Sequence, residues 1–360
     1  MSSATDTPLR IGVVGAGAFG RNHLRVISQS ERAAIAGVLD IDSTRAAEAA
    51  KAYNCAIFHS LEELAANAQG AVVATPTVTH AETGCRLMEL GLDVLVEKPI
   101  AHSIPAAQDL IETANRTGKI LQVGHLERYN PAVIALTEIA TKPLFFEIHR
   151  LSEFSPRSLD VDVVLDLMIH DLDIVLALTR ETPEEIRAAG ISILTPKVDI
   201  ANVRLQFPGG CVANLTASRV STERVRKLRL FQPHEYISLD YTRRDVVRFR
   251  VSAQAAGRGV KGSSNSADLA APGGSVVREF LQKPPMAIDF SPLPVTPGEP
   301  LRLEIEGFLE AISSRRAPRV TDVQALRALE AAFAVLDKIE VHSRRVAQAL
   351  RACSGEPGGF

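Results

Sequence analysis

The first 126 residues alternate short apolar runs with helical patterns, and this alternation constrains the fold more strongly than any other feature of the sequence. Strands that alternate with helices pair in parallel, because each helix carries the chain back across the sheet before the next strand begins. We therefore predict an α/β domain with a parallel sheet over residues 1–126. Its strands are expected at residues 9–15, 33–40, 70–76, 93–99 and 119–125.

The first predicted strand leads into a glycine-rich turn within the segment GVVGAGAFGRNH. Gly15, Gly17 and Gly20 have the G-x-G-x-x-G spacing between a strand and a helix. In that context the first glycine permits a tight turn, the second lets a pyrophosphate approach the backbone, and the third permits close helix packing. An incidental glycine-rich turn is the alternative, but the flanking strand and helix favour a dinucleotide site. We expect Ala18 and Phe19, within the same turn, to contact the dinucleotide.

An acidic residue follows the second strand at the position that suits a dinucleotide. Asp40 lies twenty residues after Gly20. A carboxylate there accepts hydrogen bonds from the adenine ribose and repels a 2′-phosphate, so Asp40 favours NAD over NADP. Arg45 follows closely, and its positive charge would soften that preference. Together these features predict an N-terminal Rossmann dinucleotide-binding domain that uses NAD as its cofactor.

After residue 126 the pattern changes to strand-rich segments. PLFFEIHRLSEF, DIANVRLQF and CVANLTASRVS have strand composition, and the Pro-Gly-Gly between the last two is typical of a hairpin turn. We predict that residues 127–300 form an α+β domain with a large open, mainly antiparallel sheet. Residues 252–276 are rich in Gly, Ser and Ala, which predicts a loop. Helical patterns over residues 301–353 predict C-terminal helices that pack back on the first domain.

Charge and cysteine content exclude several classes of function. The chain has 40 Lys and Arg residues against 42 Asp and Glu, a balance that gives no general attraction to nucleic acid or to an anionic membrane. No run of about 18 apolar residues is present, so no membrane insertion is expected. Cys55, Cys85, Cys211 and Cys353 are widely separated, which is typical of free thiols in a reducing compartment. The sequence therefore predicts a cytoplasmic protein.

One strongly apolar helix carries an unusual stripe of ionisable residues. Twelve of the sixteen residues in VVLDLMIHDLDIVLAL are apolar, which predicts a buried helix. Helical spacing puts Asp166, His170 and Asp173 within about 60° of each other on one face. Buried charge is costly unless it is paired or used, so we predict that this stripe forms an active-site wall. Asp171 is about 140° away from Asp166 and is expected to be structural.

The stripe has less specific interpretations as well. Asp166 and Asp173 could cap neighbouring backbone or pair with arginines, and a histidine in a core helix is more often satisfied than reactive. An Asp/His metal site is a further alternative. Hydride-transfer chemistry already employs all three residues, so we expect no metal.

Two further motifs make the sequence resemble a known family. ATPTVTH and VEKPIA follow successive predicted strands, and together with the D-x-x-x-H-x-x-D stripe they resemble the Gfo/Idh/MocA oxidoreductases. GHLERYNP resembles the family's crossover into its second domain, and EIEGFLEAI resembles its C-terminal helices. The resemblance spans nearly the whole chain except residues 252–276. It implies that Lys98 reaches the substrate hydroxyl beside the nicotinamide.

The resemblance also implies a set of site residues. Cofactor contacts beyond the glycine-rich turn are expected from Thr75, Pro76, His80, Glu97 and Lys98. For His80 an exposed position at a helix start is an equally good interpretation. Substrate contacts are expected from Lys98, Arg128, Tyr129, Arg157, Asp166, His170 and Asp173.

Oxidation of a secondary alcohol needs a base for the hydroxyl proton. An imidazole titrates near about pH 6.5 and a lysine near about 10.4, so His170 is the favoured base and Asp166 or Asp173 would orient its ring. Lys98 would then stabilise the developing alkoxide charge. The reverse assignment, with Lys98 as the base, stays open.

Within the family, the segments GHLERYNP, LDLMIHDLDIVL and ANLTASRVS resemble members that act on UDP-N-acetylglucosamine. Those members oxidise C3 of the sugar and supply a partner aminotransferase, as in modified lipid A. This resemblance implies a nucleotide-sugar substrate and a homodimer or homotetramer. One or two basic residues of segment 219–229, or Arg157, would then meet the UDP pyrophosphate. An inositol or free-sugar dehydrogenase and a non-catalytic NAD-binding regulator are the alternatives.

Overall fold

The computed structural model describes residues 7–154, 161–253 and 286–354, and these residues form two β-sheets. The first sheet is parallel throughout and has the strand order β3-β2-β1-β4-β5-β6. This is the order of a doubly wound dinucleotide-binding fold, and it confirms the predicted Rossmann architecture. The strands are β1 (Leu9–Val14), β2 (Ala33–Leu39), β3 (Ala56–Ile57), β4 (Gly70–Val73), β5 (Asp93–Glu97) and β6 (Leu121–Gly124). The two-residue β3 was not among the predicted strands.

Five helices follow the strands of this part, and three of them begin with a side-chain cap. Asp42, Ser60 and Ser103 each accept a hydrogen bond from a backbone N–H in the first turn of the following helix. Such caps satisfy donors that have no partner within the helix. The helices are α1 (Ala18–Ser28), α2 (Ser43–Tyr53), α3 (Leu61–Asn67), α4 (His80–Glu89) and α5 (Ile104–Thr117).

The second sheet has eight strands in the order β14-β13-β12-β11-β7-β10-β9-β8. Only the β7–β10 pair is parallel, so the sheet is mainly antiparallel, as predicted. The strands are β7 (Phe145–Leu151), β8 (Glu185–Ile191), β9 (Ile200–Gln206), β10 (Val212–Ser218), β11 (Val225–Gln232), β12 (Glu235–Asp240), β13 (Asp245–Ala253) and β14 (Met286–Pro292).

The predicted hairpin is present between β9 and β10, where Gly210 adopts a positive φ of 84°. The predicted loop at 252–276 begins later than expected, because β13 continues to Ala253. Residues 254–276 lie outside the described residues, as does Arg157.

The predicted buried helix consists of two segments with different geometry. Residues Val164–Met168 form a π-helical turn, in which the N–H of Ile169 binds the carbonyl of Val164, and α7 (Ile169–Thr179) follows. The wider turn breaks the 3.6-residue period between Asp166 and His170. The single-face arrangement of Asp166, His170 and Asp173 stays a prediction.

Three more helices complete the fold: α6 (Pro131–Ile139), α8 (Pro300–Ser314) and α9 (Asp322–Ser354). Helix α8 packs against α1 and against the short helix Leu126–Tyr129. Helix α9 lies along β8 and α7 of the second part as well as along α5 of the first. One continuous core therefore runs from the first sheet through α7 and α9 to the second sheet. Among the described helices, none is long and apolar enough to cross a membrane.

Candidate active site

The glycine-rich turn has the geometry that a dinucleotide requires. Gly15 has a φ of 96°, and a Cβ there would lie 2.5 Å from the carbonyl oxygen of Ala74. A Cβ on Gly20 would lie 1.8 Å from the carbonyl oxygen of Gly15, so α1 could not pack this closely with any larger residue. A Cβ on Gly17 would meet nothing within 4 Å, which leaves its backbone open at the N-terminus of α1. These residues fit the pyrophosphate of a dinucleotide between the adjacent strands β1 and β4.

Asp40 supports this turn from the end of β2. One carboxylate oxygen accepts a hydrogen bond from the backbone N–H of Ala16 at 2.6 Å, and the other accepts one from Asp42 at 2.8 Å. The carboxylate is half-buried, and each oxygen keeps capacity for a further donor. Arg45 is exposed, and its guanidinium Nε lies 3.2 Å from the Asp42 carboxylate. The positive charge expected beside Asp40 therefore has Asp42 as its partner.

The second loop follows β4 and is fixed by a buried histidine. His80 begins α4 and is 1% exposed, so the alternative interpretation, an exposed residue at a helix start, was wrong. Its Nδ1 lies 2.9 Å from the carbonyl oxygen of Pro99, and its Nε2 lies 2.9 Å from that of Thr75. Burial lowers the pKa of His80, so the ring is neutral and donates one hydrogen bond at a time. His80 thereby joins the loop after β4 to the loop after β5.

A cavity of about 540 Å³ lies where these two loops face the π-helical turn. Such a volume suits a small-molecule ligand, and the position at the carboxyl ends of parallel strands is where ligands of this fold bind. The predicted residues Phe19, Thr75, Pro76, His80, Glu97, Lys98 and Asp166 all line it, together with Thr77, Val78, Pro99, His102, Asp162 and Lys197.

Lys98 and Asp166 form the centre of the cavity wall. The Lys98 ammonium donates to the backbone carbonyl of Asp166 at 2.7 Å and to its carboxylate at 3.4 Å. Both side chains are mostly buried, with exposures of 14% and 27%. The π-helical turn thus presents a carbonyl and a carboxylate to the same lysine. This pairing holds an ammonium donor at the surface of the cavity.

His170 is half-buried, as Asp166 is, and is not part of the described lining of the cavity. Its ring is edge-on to that of His125, with 6.2 Å between the ring centres. Nδ1 is buried and has no hydrogen-bond partner among the described residues. Burial, together with the positive charges of Lys98 and Arg150, holds the pKa of His170 well below its ordinary value. The ring is therefore neutral at pH 7 and can accept a proton.

Asp173, the third member of the stripe, is buried behind His170. Its carboxylate lies 3.3 Å from the guanidinium of Arg128 and 3.9 Å from Nδ1 of His125. Tyr129 is 2% exposed, packs close to Gly307 of α8 and does not line the cavity. Of the predicted substrate contacts, the structure therefore brings Lys98 and Asp166 to the cavity and places Arg128, Tyr129 and Asp173 in the interior.

A buried ion-pair network beneath α7 was not foreseen in the sequence. Arg150 of β7 is 1% exposed and binds the Asp171 carboxylate through two nitrogens at 2.7 and 2.8 Å. Its third nitrogen binds Glu127 at 2.9 Å, and the hydroxyl of Tyr241 donates to Asp171 at 3.2 Å. Asp171 is structural, as its helical angle predicted. Arg150 could have been found, because strand alternation puts it in phase with the buried Ile148.

A second unforeseen cluster lies under the end of β5. Nε2 of His23 is 2.6 Å from the Glu97 carboxylate, and the Glu304 carboxylate of α8 lies within 4.8 Å of both. Glu304 is fully buried, and neither of its oxygens has a hydrogen-bond partner among the described residues. Burial, with the negative charge of Glu97, raises the pKa of Glu304 well above its ordinary value. Burial opposes ionisation of Glu97 too, but His23 and Lys98 outweigh it and lower its pKa.

The basic segment at 219–229 does not reach the cavity, and none of its five basic side chains is part of the described lining. Arg219 donates to the carbonyl of Val161 and lies near Asp199. Arg226 lies 3.9 Å from Glu127, and Arg229 pairs with Glu147 on the open face of the second sheet. Arg219, Arg226 and Arg229 are thus engaged within the fold or on another surface, and binding of a pyrophosphate by this segment stays a prediction.

Comparisons with known proteins agree with this geometry. The family model for GFO/IDH/MocA oxidoreductases with an NAD-binding Rossmann fold matches residues 9–125, and the model for the GFO/IDH/MocA C-terminal domain matches residues 142–232. The UDP-N-acetylglucosamine 3-dehydrogenase of Acidithiobacillus ferrooxidans is 34% identical over 338 residues, which cover 94% of this chain and 99% of the relative. The inositol 2-dehydrogenase of Rubrobacter xylanophilus is 28% identical and covers 59% of this chain.

Solved structures give the same relationship. The Acidithiobacillus ferrooxidans enzyme superposes with a TM-score of 0.80 at 32% identity, over 93% of this chain and 99% of the other. The myo-inositol 2-dehydrogenase of Lactobacillus plantarum superposes with a TM-score of 0.72 at 15% identity over 93% of this chain, and it shares the fold.

Proposed function

This chain belongs to the Gfo/Idh/MocA family of NAD-binding oxidoreductases, and we propose that it oxidises C3 of UDP-N-acetylglucosamine to the 3-keto sugar. The choice of substrate rests on the share of the chain that each relative matches in sequence. The relative that acts on this nucleotide sugar matches over 94% of the chain, whereas the inositol 2-dehydrogenase matches over 59%. An inositol or free-sugar dehydrogenase is the second candidate, because such relatives share the same fold and cofactor domain.

Bound NAD would supply the acceptor for the hydride of the carbinol carbon. The open backbone at Gly17 and the N-terminus of α1 would hold its pyrophosphate. Asp40 would accept hydrogen bonds from the adenine ribose with the capacity that Ala16 and Asp42 leave. The ion pair of Arg45 with Asp42 supports a preference for NAD over NADP, because the guanidinium already has a carboxylate partner. Thr75, Pro76 and Glu97 would flank the nicotinamide end.

Lys98 and His170 would have different roles at the substrate hydroxyl group. Lys98 is held as a donor by Asp166, so it would donate to the substrate oxygen and stabilise the alkoxide charge that develops there. His170 is neutral and half-buried, so its ring would take the proton. The reverse assignment makes Lys98 the base, and the pH dependence below distinguishes the two.

The product suggests the place of the reaction. A 3-keto sugar is a substrate for an aminotransferase, and such a partner would draw an uphill oxidation forward, as in amino-sugar and lipid A-type biosynthesis. A cytoplasmic location is part of the proposal. Cys55, Cys85 and Cys211 form no disulfide within the described residues, as expected in a reducing compartment.

The open face of the second sheet supports assembly into a homodimer or homotetramer. An aromatic row crosses five strands on this sheet, with ring centres 4.8 to 5.7 Å apart between neighbours. Phe231 is 37% exposed and Phe290 is 60% exposed, although both are large and apolar. Exposed apolar patches of this kind are typical of interfaces. The row consists of Phe145, Phe231, Tyr236, Phe249 and Phe290.

The test is NADH formation at 340 nm with UDP-N-acetylglucosamine or myo-inositol and a ketone trap. We expect turnover of the nucleotide sugar, with Lys98→Ala and His170→Ala each about 100- to 10,000-fold slower. His59→Ala, at an exposed position, is the control. If His170 is the base, kcat/KM stays level down to pH 6.5 and falls only below it, since the folded pKa lies well under that value.

Other outcomes contradict the proposal at different levels. Turnover of myo-inositol alone would keep the mechanism and discard the substrate. NAD binding without turnover of any alcohol would favour a regulator. Full activity in both variants would remove Lys98 and His170 from the chemistry.

A further inference from the structure

The loop between β8 and β9 is held rigid by one buried carboxylate. Asp199 is fully buried, and one of its oxygens accepts the backbone N–H groups of Ile193, Leu194 and Thr195 at 2.6 to 3.0 Å. Its other oxygen accepts the hydroxyl of Thr195 at 2.9 Å. Burial raises the pKa of Asp199, but these hydrogen bonds outweigh it and hold the pKa below its ordinary value. The carboxylate therefore stays ionised and holds the loop at neutral pH.

The same loop fixes the backbone on both sides of Lys197. The Thr195 hydroxyl oxygen accepts the N–H of Lys197 and lies 3.1 Å from its carbonyl oxygen. The next residue, Val198, donates its N–H to the Asp162 carboxylate at 2.8 Å, and Asp162 itself lies just before the π-helical turn. The main chain of Lys197 is thus tied both to its own loop and to the segment that carries Asp166.

The side chain of Lys197 extends into the wall of the cavity that also contains Lys98 and Asp166. Its nearest carboxylate is that of Asp162 at 3.9 Å, at the outer limit of an ion pair, and the side chain is 47% exposed. An ammonium has three donors, and one long contact leaves it able to bind an anion. Lys98, by comparison, is engaged by Asp166 at 2.7 Å.

We propose that Lys197 binds the diphosphate of the substrate and so selects nucleotide sugars over free sugars and polyols. The inference rests on the proposed function, since that substrate carries two phosphates beside the sugar. Within the described lining, Lys98, His102 and Lys197 are the basic side chains besides His80, whose ring nitrogens face carbonyl oxygens. Arg219, Arg226 and Arg229 of segment 219–229 have carboxylate contacts elsewhere, and none of the segment's basic side chains belongs to this lining. Lys197 combines a fixed main chain with an ammonium that has one long carboxylate contact.

A diphosphate also occurs in the dinucleotide, and the experiment separates the two sources. The first arm measures the Kd of NADH alone by fluorescence. The second measures the Kd of UDP by calorimetry with NADH present, a readout that needs no turnover. We expect Lys197→Ala to weaken UDP binding about 10-fold, as loss of a partly exposed charge-assisted hydrogen bond implies, and to change the Kd of NADH less than twofold.

Steady-state kinetics provide the functional arm. Lys197→Ala is expected to raise the KM for UDP-N-acetylglucosamine about 10-fold with kcat nearly unchanged, because the contact is the same in the ground and transition states. Lys197→Arg should restore most of the affinity. Arg187→Gln, which removes one positive charge from the exposed side of β8, is the matched control and should behave as the wild type.

The possible failures are distinguishable. If the wild type binds UDP and Lys197→Ala binds it equally well, the inference is overturned and the proposed function stands. If Lys197→Ala weakens NADH instead, the residue serves the dinucleotide and the inference is wrong. If the wild type binds neither UDP nor the nucleotide sugar, the proposed function fails and the inference fails with it.

Discussion

Asp171 is a residue at which substitution should act through stability and not through chemistry. It holds Arg150 by two hydrogen bonds in the interior, and both side chains are 2% exposed. Asp171→Ala leaves the Arg150 charge with Glu127 as its remaining close partner, so we expect a loss of about 3–5 kcal/mol in the free energy of unfolding. Urea denaturation followed by circular dichroism measures it.

Asp166→Asn is the matched control for this prediction. Asp166 lies on the same structural segment but faces the cavity, so its substitution should lower kcat and leave the unfolding midpoint nearly unchanged. The double variant Asp171→Leu with Arg150→Met should recover part of the lost stability, because it removes both buried charges together. Equal stability of Asp171→Ala and the wild type would contradict the structural role.

Glu304 should make the protein less stable as the pH rises. Its folded pKa lies above the ordinary value of 4.5, so between these two values the unfolded chain releases a proton that the folded chain keeps. The folded state then loses up to about 1.4 kcal/mol per pH unit. Glu304→Gln has no carboxyl group to ionise and so lacks this pH-dependent loss. We expect the free energy of unfolding of the variant to exceed that of the wild type by an amount that grows from pH 5 to pH 8 in urea titrations.

The control for Glu304 lies two residues along the same helix. Glu306 is 30% exposed and receives a hydrogen bond from Ser30. Glu306→Gln should therefore show no advantage that grows with pH. A constant difference between Glu304→Gln and the wild type at all pH values would mean that Glu304 ionises normally.

At the scale of elements, two glycines of the turn between β1 and α1 should have different roles, one in dinucleotide binding and the other in stability. A Cβ on Gly17 meets open space, whereas a Cβ on Gly20 would collide with the carbonyl oxygen of Gly15. Gly17→Ala should keep the wild-type Tm and weaken NADH binding about tenfold or more, because a methyl group then occupies the approach to the backbone. Gly20→Ala should lower the Tm, because α1 must move. Fluorescence titration and thermal melts measure the two effects.

The opposite results would contradict the roles given to Gly17 and Gly20. A lowered Tm with unchanged NADH affinity in Gly17→Ala would place the dinucleotide elsewhere. Unchanged stability in Gly20→Ala would show that α1 shifts without penalty.

At the scale of the whole molecule, the aromatic row on the second sheet should control assembly. Phe290→Asp places a charge in the proposed interface, so we expect the dimer or tetramer of the wild type to dissociate at micromolar concentration. Val341→Asp, on the exposed side of α9, changes an apolar residue of 46% exposure outside the row and should leave the mass unchanged. Light scattering after size-exclusion chromatography measures the mass, and a monomeric wild type would refute the assembly.

The local sequence pattern was sufficient to predict the main secondary-structure architecture. The parallel sheet, the glycine-rich turn and the hairpin between β9 and β10 were all predicted, because each depends on residues close together in the chain. The same holds for the structural role of Asp171, which follows from its angle on α7. Lys98 and Asp166 were predicted as site residues on separate grounds. Lys98 was predicted from the motif that follows a strand and from the family resemblance, and Asp166 from its place on the apolar helix.

Long-range contacts decided what sequence pattern could not. The π-helical turn depends on its packed surroundings, so sequence pattern did not predict that Val164–Met168 depart from regular α-helical geometry. His80 is buried because two loops from different strands meet around it. Glu304, Arg150 and Lys197 acquire their roles from partners 21 to 281 positions away. The period of a helix or strand reports only which side of its own element a residue occupies. Tertiary packing therefore determined which charges are paired in the interior and which remain available in the cavity.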